Sequence, residues 1–208
     1  MVTNLITTYD ELLTAGADWL NRGDLVDQMP TFVRLAEAQL NRDLRVRDMM
    51  VRAETTSDLE NVELPNDFLE HYSLQLVPPG QPLMYMSERE SNDVKAAGIA
   101  GPVAGYTILD NMIELVPAPS GDVDLKMVYY ARIPSLGPTT PTNWLLVKSP
   151  DLYLFSTLLQ ATPYLKDDER IAVWGQARVG VMESMRLESE ASMRPRAGYL
   201  VARPSRSF

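Results

Sequence analysis

Histidine and cysteine are the side chains that most often bind metals or act as nucleophiles and bases, and this chain offers few of them. His71 is the only histidine, and cysteine is absent. An ordinary zinc site needs several such ligands, and no local motif supplies the partners of a Ser-His-Asp triad. We therefore predict that His71 is a structural or surface residue. We also predict that the chain has no catalytic residue, no metal site and no cofactor.

Three consecutive acids, Asp167, Asp168 and Glu169, have the composition of a metal or acid–base cluster. They stand where a helix is predicted to begin, and carboxylates there accept hydrogen bonds from free amides and interact favourably with the helix dipole. We therefore predict a capping role for them. A hydrolase with dispersed carboxylates stays open as an alternative, since the chain has 28 Asp and Glu residues.

Two further patterns have the residue types of ligand-binding motifs. Gly98, Gly101 and Gly105 have the spacing of neither a dinucleotide fingerprint nor a phosphate loop, and we predict a flexible loop that could also serve as a contact loop in an assembly. Tyr129 and Tyr130 could stack on bases. Adjacent strand residues point to opposite faces, however, so cross-strand packing is the better interpretation.

The two ends of the chain are predicted to be helical. Thr8 and Glu11 have the spacing of a capping box before a helix that breaks at residues 21–24, and Pro30 suits the first turn of the next helix. That second helix has an apolar stripe and an outer polar side: Phe32, Val33, Ala36, Leu40 and Leu44 inside, with Arg34, Glu37, Gln39 and Arg42 outside.

Helices return near the C-terminus. Residues 143–146 are interpreted as the end of a loop, and Ser149-Pro150 as the start of a helix with one face through Leu152, Phe155, Ser156 and Leu159. Pro163 should end it. The last helix is predicted to run from about Asp167 toward Met193, with one apolar side: Ile171, Trp174, Val181 and Met185.

The middle of the chain has the alternating pattern of strands. Strands are predicted at 50–56, 72–77 and 123–131, a hairpin at 106–116 with a two-residue turn at Asp110-Asn111, and a short helix at 87–97 capped by Ser87 and Glu90. Pro134, Pro138 and Pro141 form a stiff linker. The fold class is therefore α+β, a helical body (1–48 and 142–193) with an inserted β-rich subdomain (49–141) and an extended basic tail (194–208).

The charge of the chain is unevenly distributed. Its net charge is −9, and the four arginines after Met193 are accompanied by no acid, so subtracting their +4 leaves −13 on residues 1–193. An acidic body should bind duplex DNA weakly, since affinity for phosphates comes from Lys and Arg. The tail could instead contact an acidic partner or remain a solvated terminus. Its candidate contact residues are Arg194, Arg196, Tyr199, Arg203, Arg206 and Phe208.

The order of several segments resembles the head-to-tail adaptor (connector) proteins of tailed bacteriophages, and is most similar to short-tailed phage adaptors of the tail tubular protein A type. The likeness covers nearly the whole chain. The segments that carry it are residues 9–12 (YDEL), 19–22 (WLNR), 32–44 (FVRLAEAQLNRDL) and 141–174 (PTNWLLVKSPDLYLFSTLLQATPYLKDDERIAVW).

This resemblance implies a structural virion protein and no enzyme. It implies a homo-oligomeric ring, typically a dodecamer, that docks on the portal protein, extends the DNA channel without specific DNA binding, and attaches tail or nozzle proteins. The location would be the head–tail junction, after assembly in the host cytoplasm, which fits the absence of cysteine. No apolar run approaches the ~20 residues of a membrane span. A monomeric binding module stays open as a second alternative.

Overall fold

The computed structural model describes residues 6–78, 80–165 and 169–194. Within these ranges, helices near both ends of the chain enclose a middle part made of strands and one short helix. In chain order the elements are α1 (Tyr9–Leu20), α2 (Met29–Asp43), β1 (Met50–Ser57), β2 (Asn61–Glu63), β3 (Phe68–Leu76), β4 (Gln81–Pro82), β5 (Met84–Tyr85), α3 (Glu88–Ala96), β6 (Gly105–Leu109), β7 (Met112–Val116), β8 (Val123–Ala131), α4 (Trp144–Lys148), α5 (Pro150–Gln160) and α6 (Arg170–Met193).

Local sequence signals start and stop several of these helices as predicted. At the start of α1 the Thr8 hydroxyl accepts from the Glu11 amide at 3.3 Å, and the Glu11 carboxylate accepts from the Thr8 amide at 3.0 Å. Ser87 and Glu90 form the same capping box before α3. Asn21 ends α1 in the left-handed conformation, at φ 52°. These predictions are confirmed. Capping could be predicted from sequence because it depends on residues within one turn of each other.

The helical body is built around α5. Its buried residues lie on nearly every side: Leu152, Tyr153, Leu154, Ser156, Thr157 and Leu158. The prediction of one apolar face was therefore wrong, because α1, α2, α4 and α6 all pack against this helix. Residues 143–146 were interpreted from sequence as the end of a loop, but Trp144–Lys148 form α4, which Asn143 caps by accepting from the Leu146 amide at 2.9 Å.

The β-rich part is a sandwich of two four-stranded sheets. One sheet has the strand order β1-β8-β3-β4 and the other β2-β7-β6-β5. Neighbouring strands are antiparallel except for the β5–β6 pair. The predicted hairpin is confirmed: β6 and β7 are joined at Asp110 and Asn111, with φ of 48° and 63°, the left-handed values that a two-residue turn of this kind requires.

The helical body and the β-sandwich each have their own apolar core. The sandwich core lies between the sheets and takes every second residue of β8: Leu125, Met127, Tyr129 and Ala131. The helical core takes in residues of α1, α2, α5 and α6. The side chains of Leu69 and Tyr130, on β3 and β8, pack against the helical core. The α+β fold class is confirmed, whereas the boundaries at 48/49 and 141/142 stay a prediction.

Candidate functional site

His71 lies in β3 among aromatic rings. Its ring stacks on Tyr85 with centroids 4.2 Å apart and meets the edge of Tyr106 at 6.0 Å. Among the described residues, no group of three or more His, Asp and Glu side chains could hold a metal ion. His71 thus takes the structural position that the sequence predicts, as a packing partner between the two sheets.

Of the three acids predicted to cap α6, the structure describes only Glu169. Asp167 and Asp168 lie outside the described residues. Glu169 is the residue before the helix, and its side chain makes no capping hydrogen bond. The predicted start at Asp167 was three residues early, since α6 begins at Arg170.

Gly105 is not part of a flexible loop, although Gly98 ends α3 at φ 62° as a loop glycine would. Gly105 lies in β6, where a Cβ atom would touch the Met86 side chain and lie 2.8 Å from the Met84 carbonyl oxygen. The close approach of β5 therefore requires a glycine there. Gly105 therefore has a structural role. The sequence alone could not show that β5 would lie beside it.

The two adjacent tyrosines point to opposite faces of their sheet, as predicted. Tyr129 is buried in the sandwich and its hydroxyl donates to Asp67 at 2.8 Å. Burial, followed by that hydrogen bond, raises the pKa of Tyr129 to about 12. Tyr130 faces the helical body and meets the edge of Tyr72 with ring centroids 6.2 Å apart. Their cross-strand packing is confirmed.

Glu37 was predicted on the outer side of α2, and this was wrong, since the residue is only 3% exposed. Its carboxylate accepts from the Leu136 amide at 2.7 Å and from the Tyr153 hydroxyl at 3.0 Å. Tyr153 in turn accepts from the Asn143 side-chain amide at 2.7 Å. Burial raises the pKa of Glu37 despite these hydrogen bonds. The network fastens the linker after β8 to α2 and α5.

Arg178 is the second buried ionic group of the body, at 9% exposure. Its guanidinium pairs with Asp43 at 2.5 Å and donates to Ser156 at 3.2 Å, which joins α6 to α2 and α5. Beside it lies a groove of about 340 Å³ between the end of α2 and α6. The other arginines in its wall, Arg45 and Arg186, pair with Glu70 and Glu183. The groove is therefore poorly suited to an anionic ligand.

Helix α6 has a buried inner face and an apolar outer face. The inner face was predicted correctly: Trp174 and Met185 are buried, and Ile171 and Val181 pack beside them. The outer face was missed, although Val173, Gly180 and Leu187 are seven residues apart. Val173 is 64% exposed and Leu187 54%. With the small residues between them, they make this stripe the candidate contact surface of α6.

The predicted contact residues of the C-terminal tail lie almost entirely beyond the described part of the chain. Arg194 is the exception: it follows α6, is exposed, and its guanidinium lies 4.0 Å from the Glu190 carboxylate. The remaining positions lie outside the described residues: Arg196, Tyr199, Arg203, Arg206 and Phe208. Among the residues that the structure describes, no helix is long and apolar enough to cross a membrane.

The fold and its surfaces define an α+β protein whose described surface offers an apolar helix face for contacts. The chain belongs to the SU10 adaptor protein family, whose model matches residues 7–199. A comparison with curated proteins found no match. The family is a structural, non-enzymatic kind of phage protein, and it implies a place at the head–tail junction of the virion. The predicted resemblance is confirmed at the level of a phage adaptor, and the tail tubular protein A type stays a prediction.

Proposed function

We propose that the chain is the subunit of a closed homo-oligomeric ring, a dodecamer, that docks on the portal, extends the DNA channel and attaches the tail. The observation that carries this proposal is the family match over residues 7–199. The exposed apolar side of α6 supports it, because subunits that assemble must keep such surfaces available for one another. The short-tailed phage type, suggested by sequence resemblance, belongs to the same proposal.

A ring that passes DNA should not hold it tightly. Residues 1–193 carry −13, and the arginines around the groove beside α6 are paired with acids. Both features leave little cationic surface for phosphates. A chain ending at Met193 should therefore show no gel shift with duplex DNA at a protein concentration of about 1 µM and physiological salt. Tighter binding would contradict a passive channel.

The tail from Arg194 to Phe208 is proposed to contact the portal or the next subunit. Its four arginines can form bidentate pairs with carboxylates, and the acidic body offers many. Removing the residues after Met193 should preserve the far-UV circular dichroism spectrum but weaken ring formation or portal binding. If the truncated chain forms rings and binds the portal with unchanged affinity, the proposed role of the tail is wrong.

The ring itself is tested by the mass of the complex in solution. We would measure the full-length chain by sedimentation velocity, alone and with its portal. The proposal expects a discrete high-mass species whose mass is a whole multiple of the subunit, formed by the chain alone or on the portal. A chain that remains monomeric in both samples contradicts the proposal.

A further inference from the structure

We infer that the subunits of this ring contact one another head to tail, the outer face of α6 on one copy packing against the outer face of α2 on the next. The inference rests on the proposed ring and names the surfaces that build it. Both surfaces are largely exposed in the single chain.

The outer face of α6 has the spacing of a helix-packing seam. Small and aliphatic residues recur at alternating steps of four and three along it: Val173, Ala177, Gly180, Ser184, Leu187 and Ala191. This repeat places them on one side of the helix, turned by roughly 110° from the buried side with Trp174 and Met185 at 3.6 residues per turn. A face of this composition lets a second helix approach closely.

Gly180 supports this interpretation independently. Glycine in the interior of a helix is less favourable than alanine because it loses more backbone entropy on folding. A Cβ atom on Gly180 would have no heavy atom within 4 Å. No packing within the subunit therefore requires a glycine at this exposed position, whereas a helix of a neighbouring copy lying across it would.

The outer face of α2 supplies a surface of the complementary kind. Leu35 is 49% exposed and lies beside exposed Ala38. Arg34 and Arg42 flank them, and neither side chain forms a close ion pair or hydrogen bond with another residue that the structure describes. The charge of Arg34 does act on Glu37 and Tyr9 of its own chain, so Arg42 is the less engaged of the two cations. Two cations around an apolar centre are suited to a partner helix that carries acids beside its own apolar seam.

Helix α6 carries such acids. Glu183 and Glu190 flank its outer seam and share one cation, Arg186, at 3.0 and 3.7 Å. They are seven residues apart, and Arg34 and Arg42 are eight apart, so each pair spans two helical turns, roughly 10–12 Å at 1.5 Å per residue. Two glutamates can therefore face two arginines across one helix–helix contact.

These features identify the partner as a second copy of this chain. Both halves of the charge match are on one chain, and α2 and α6 present separate surfaces that both point away from α5. A contact between two different surfaces leaves each subunit with one of each unused, so it propagates and can close into a ring.

A charge-reversal pair tests the contact. Variant A carries Arg34→Glu and Arg42→Glu, and variant B carries Glu183→Arg and Glu190→Arg. Each alone should need at least about a tenfold higher concentration to assemble, because like charges then face each other. An equimolar mixture should regain assembly, since each α2 face of A meets an α6 face of B and the reverse. Arg89→Glu, on exposed α3, is the matched control and should assemble as the unaltered chain does.

A second experiment does not depend on reversed charges. The chain has no cysteine, so Ala38→Cys combined with Gly180→Cys creates two reactive sites on facing surfaces. Mild oxidation of the assembled chain should give a ladder of covalent multimers beyond the dimer, while either single variant should give none. Far-UV circular dichroism and the melting temperature report whether each variant folds.

The outcomes separate this inference from the proposed function. If the unaltered chain assembles but A, B and the mixture assemble equally well and no ladder forms, the α2–α6 contact is wrong and the ring stands. If oxidation stops at the dimer, the contact is symmetric and the head-to-tail inference is wrong. If the unaltered chain stays monomeric even with the portal, both are wrong.

Discussion

The helical body and the β-sandwich are held together in different ways. The body has a buried carboxylate at its centre, where Glu37 accepts from the Leu136 amide and the Tyr153 hydroxyl. The sandwich has an apolar centre, and its charged groups lie nearer the surface, where Lys95 pairs with Glu114 of β7 and with Glu60 between β1 and β2. Polar changes should therefore damage the body much more than the sandwich, because an unpaired buried group costs more than an exposed one.

The largest effect is expected from removing the buried carboxylate. Glu37→Leu leaves the Leu136 amide and the Tyr153 hydroxyl without their acceptor, and should lower the free energy of unfolding by about 2–5 kcal/mol. Urea denaturation measures this. Glu63→Leu, at an exposed position on β2, is the matched control and should change stability by less than about 0.5 kcal/mol. Similar losses in both variants would remove the distinction between the two regions.

Each region has one buried tyrosine whose hydroxyl donates to a carboxylate. Tyr153→Phe removes a hydroxyl that bridges Glu37 and Asn143, and should cost about 1–3 kcal/mol because both groups are buried. Tyr129→Phe removes one hydrogen bond to partly exposed Asp67, and should cost about 0.5–1.5 kcal/mol. The two variants differ from the chain by one oxygen each. A larger loss for Tyr129→Phe would contradict the comparison.

The two regions should also respond to pH in opposite directions. Burial raises the pKa of Glu37 above its ordinary 4.5. At a pH between the unfolded-state pKa and the higher folded-state pKa, Glu37 is protonated in the folded state and ionised in the unfolded state. Glu37 therefore makes the fold less stable as pH rises through this interval. The hydrogen bond from Ser91, aided by Lys95, lowers the pKa of Glu114. Glu114 therefore stabilises the fold above its unfolded pKa, and that contribution is lost as pH falls through its folded pKa.

Unfolding free energies at pH about 4 and about 7 test these signs. Relative to the unaltered chain, Glu37→Gln should gain stability on going from the lower to the higher pH. Glu114→Gln should lose stability over the same change. Equal responses of the two variants would show that the surroundings of these carboxyls do not differ as described.

The smallest effect is expected from an ion pair of the sandwich. Lys95 lies 3.0 Å from Glu114 and also pairs with Glu60, and about a third of its side chain is exposed. Lys95→Met should change stability by no more than about 1 kcal/mol, since partly exposed pairs contribute little. The loss should shrink further in high salt. A loss as large as that of Glu37→Leu would contradict the comparison.

The sequence predicted the features that short spacing determines. The capping boxes at Thr8 and Ser87, the turn at Asp110-Asn111 and the inner side of α6 were correct, because each depends on neighbours in one turn, strand or helix. The prediction that Glu37 is exposed was wrong because the linker after β8, about a hundred residues away in sequence, covers it. The prediction that Gly105 lies in a flexible loop was wrong because its neighbour β5 comes beside it only in the folded sheet.

The candidate contact surface was only half accessible from sequence. The inner side of α6 was predicted from sequence, but only the packed structure shows that the neighbouring stripe through Val173 and Leu187 stays exposed. The heptad spacing of Val173, Gly180 and Leu187 was a usable signal, but the tail drew attention through its four arginines. The arginines of the tail can be counted in the sequence. Which side of α6 is exposed, in contrast, depends on which other elements pack against the helix.

The proposed function depends on this adaptor forming a ring between portal and tail. Averaged electron cryomicroscopy images of the virion vertex test it most directly, with the chain's structure placed in the density. The proposal expects a closed ring of copies directly below the portal, around an open channel, with tail proteins on its far side. A vertex in which the chain is absent, or present as isolated copies that do not encircle the channel, would contradict it.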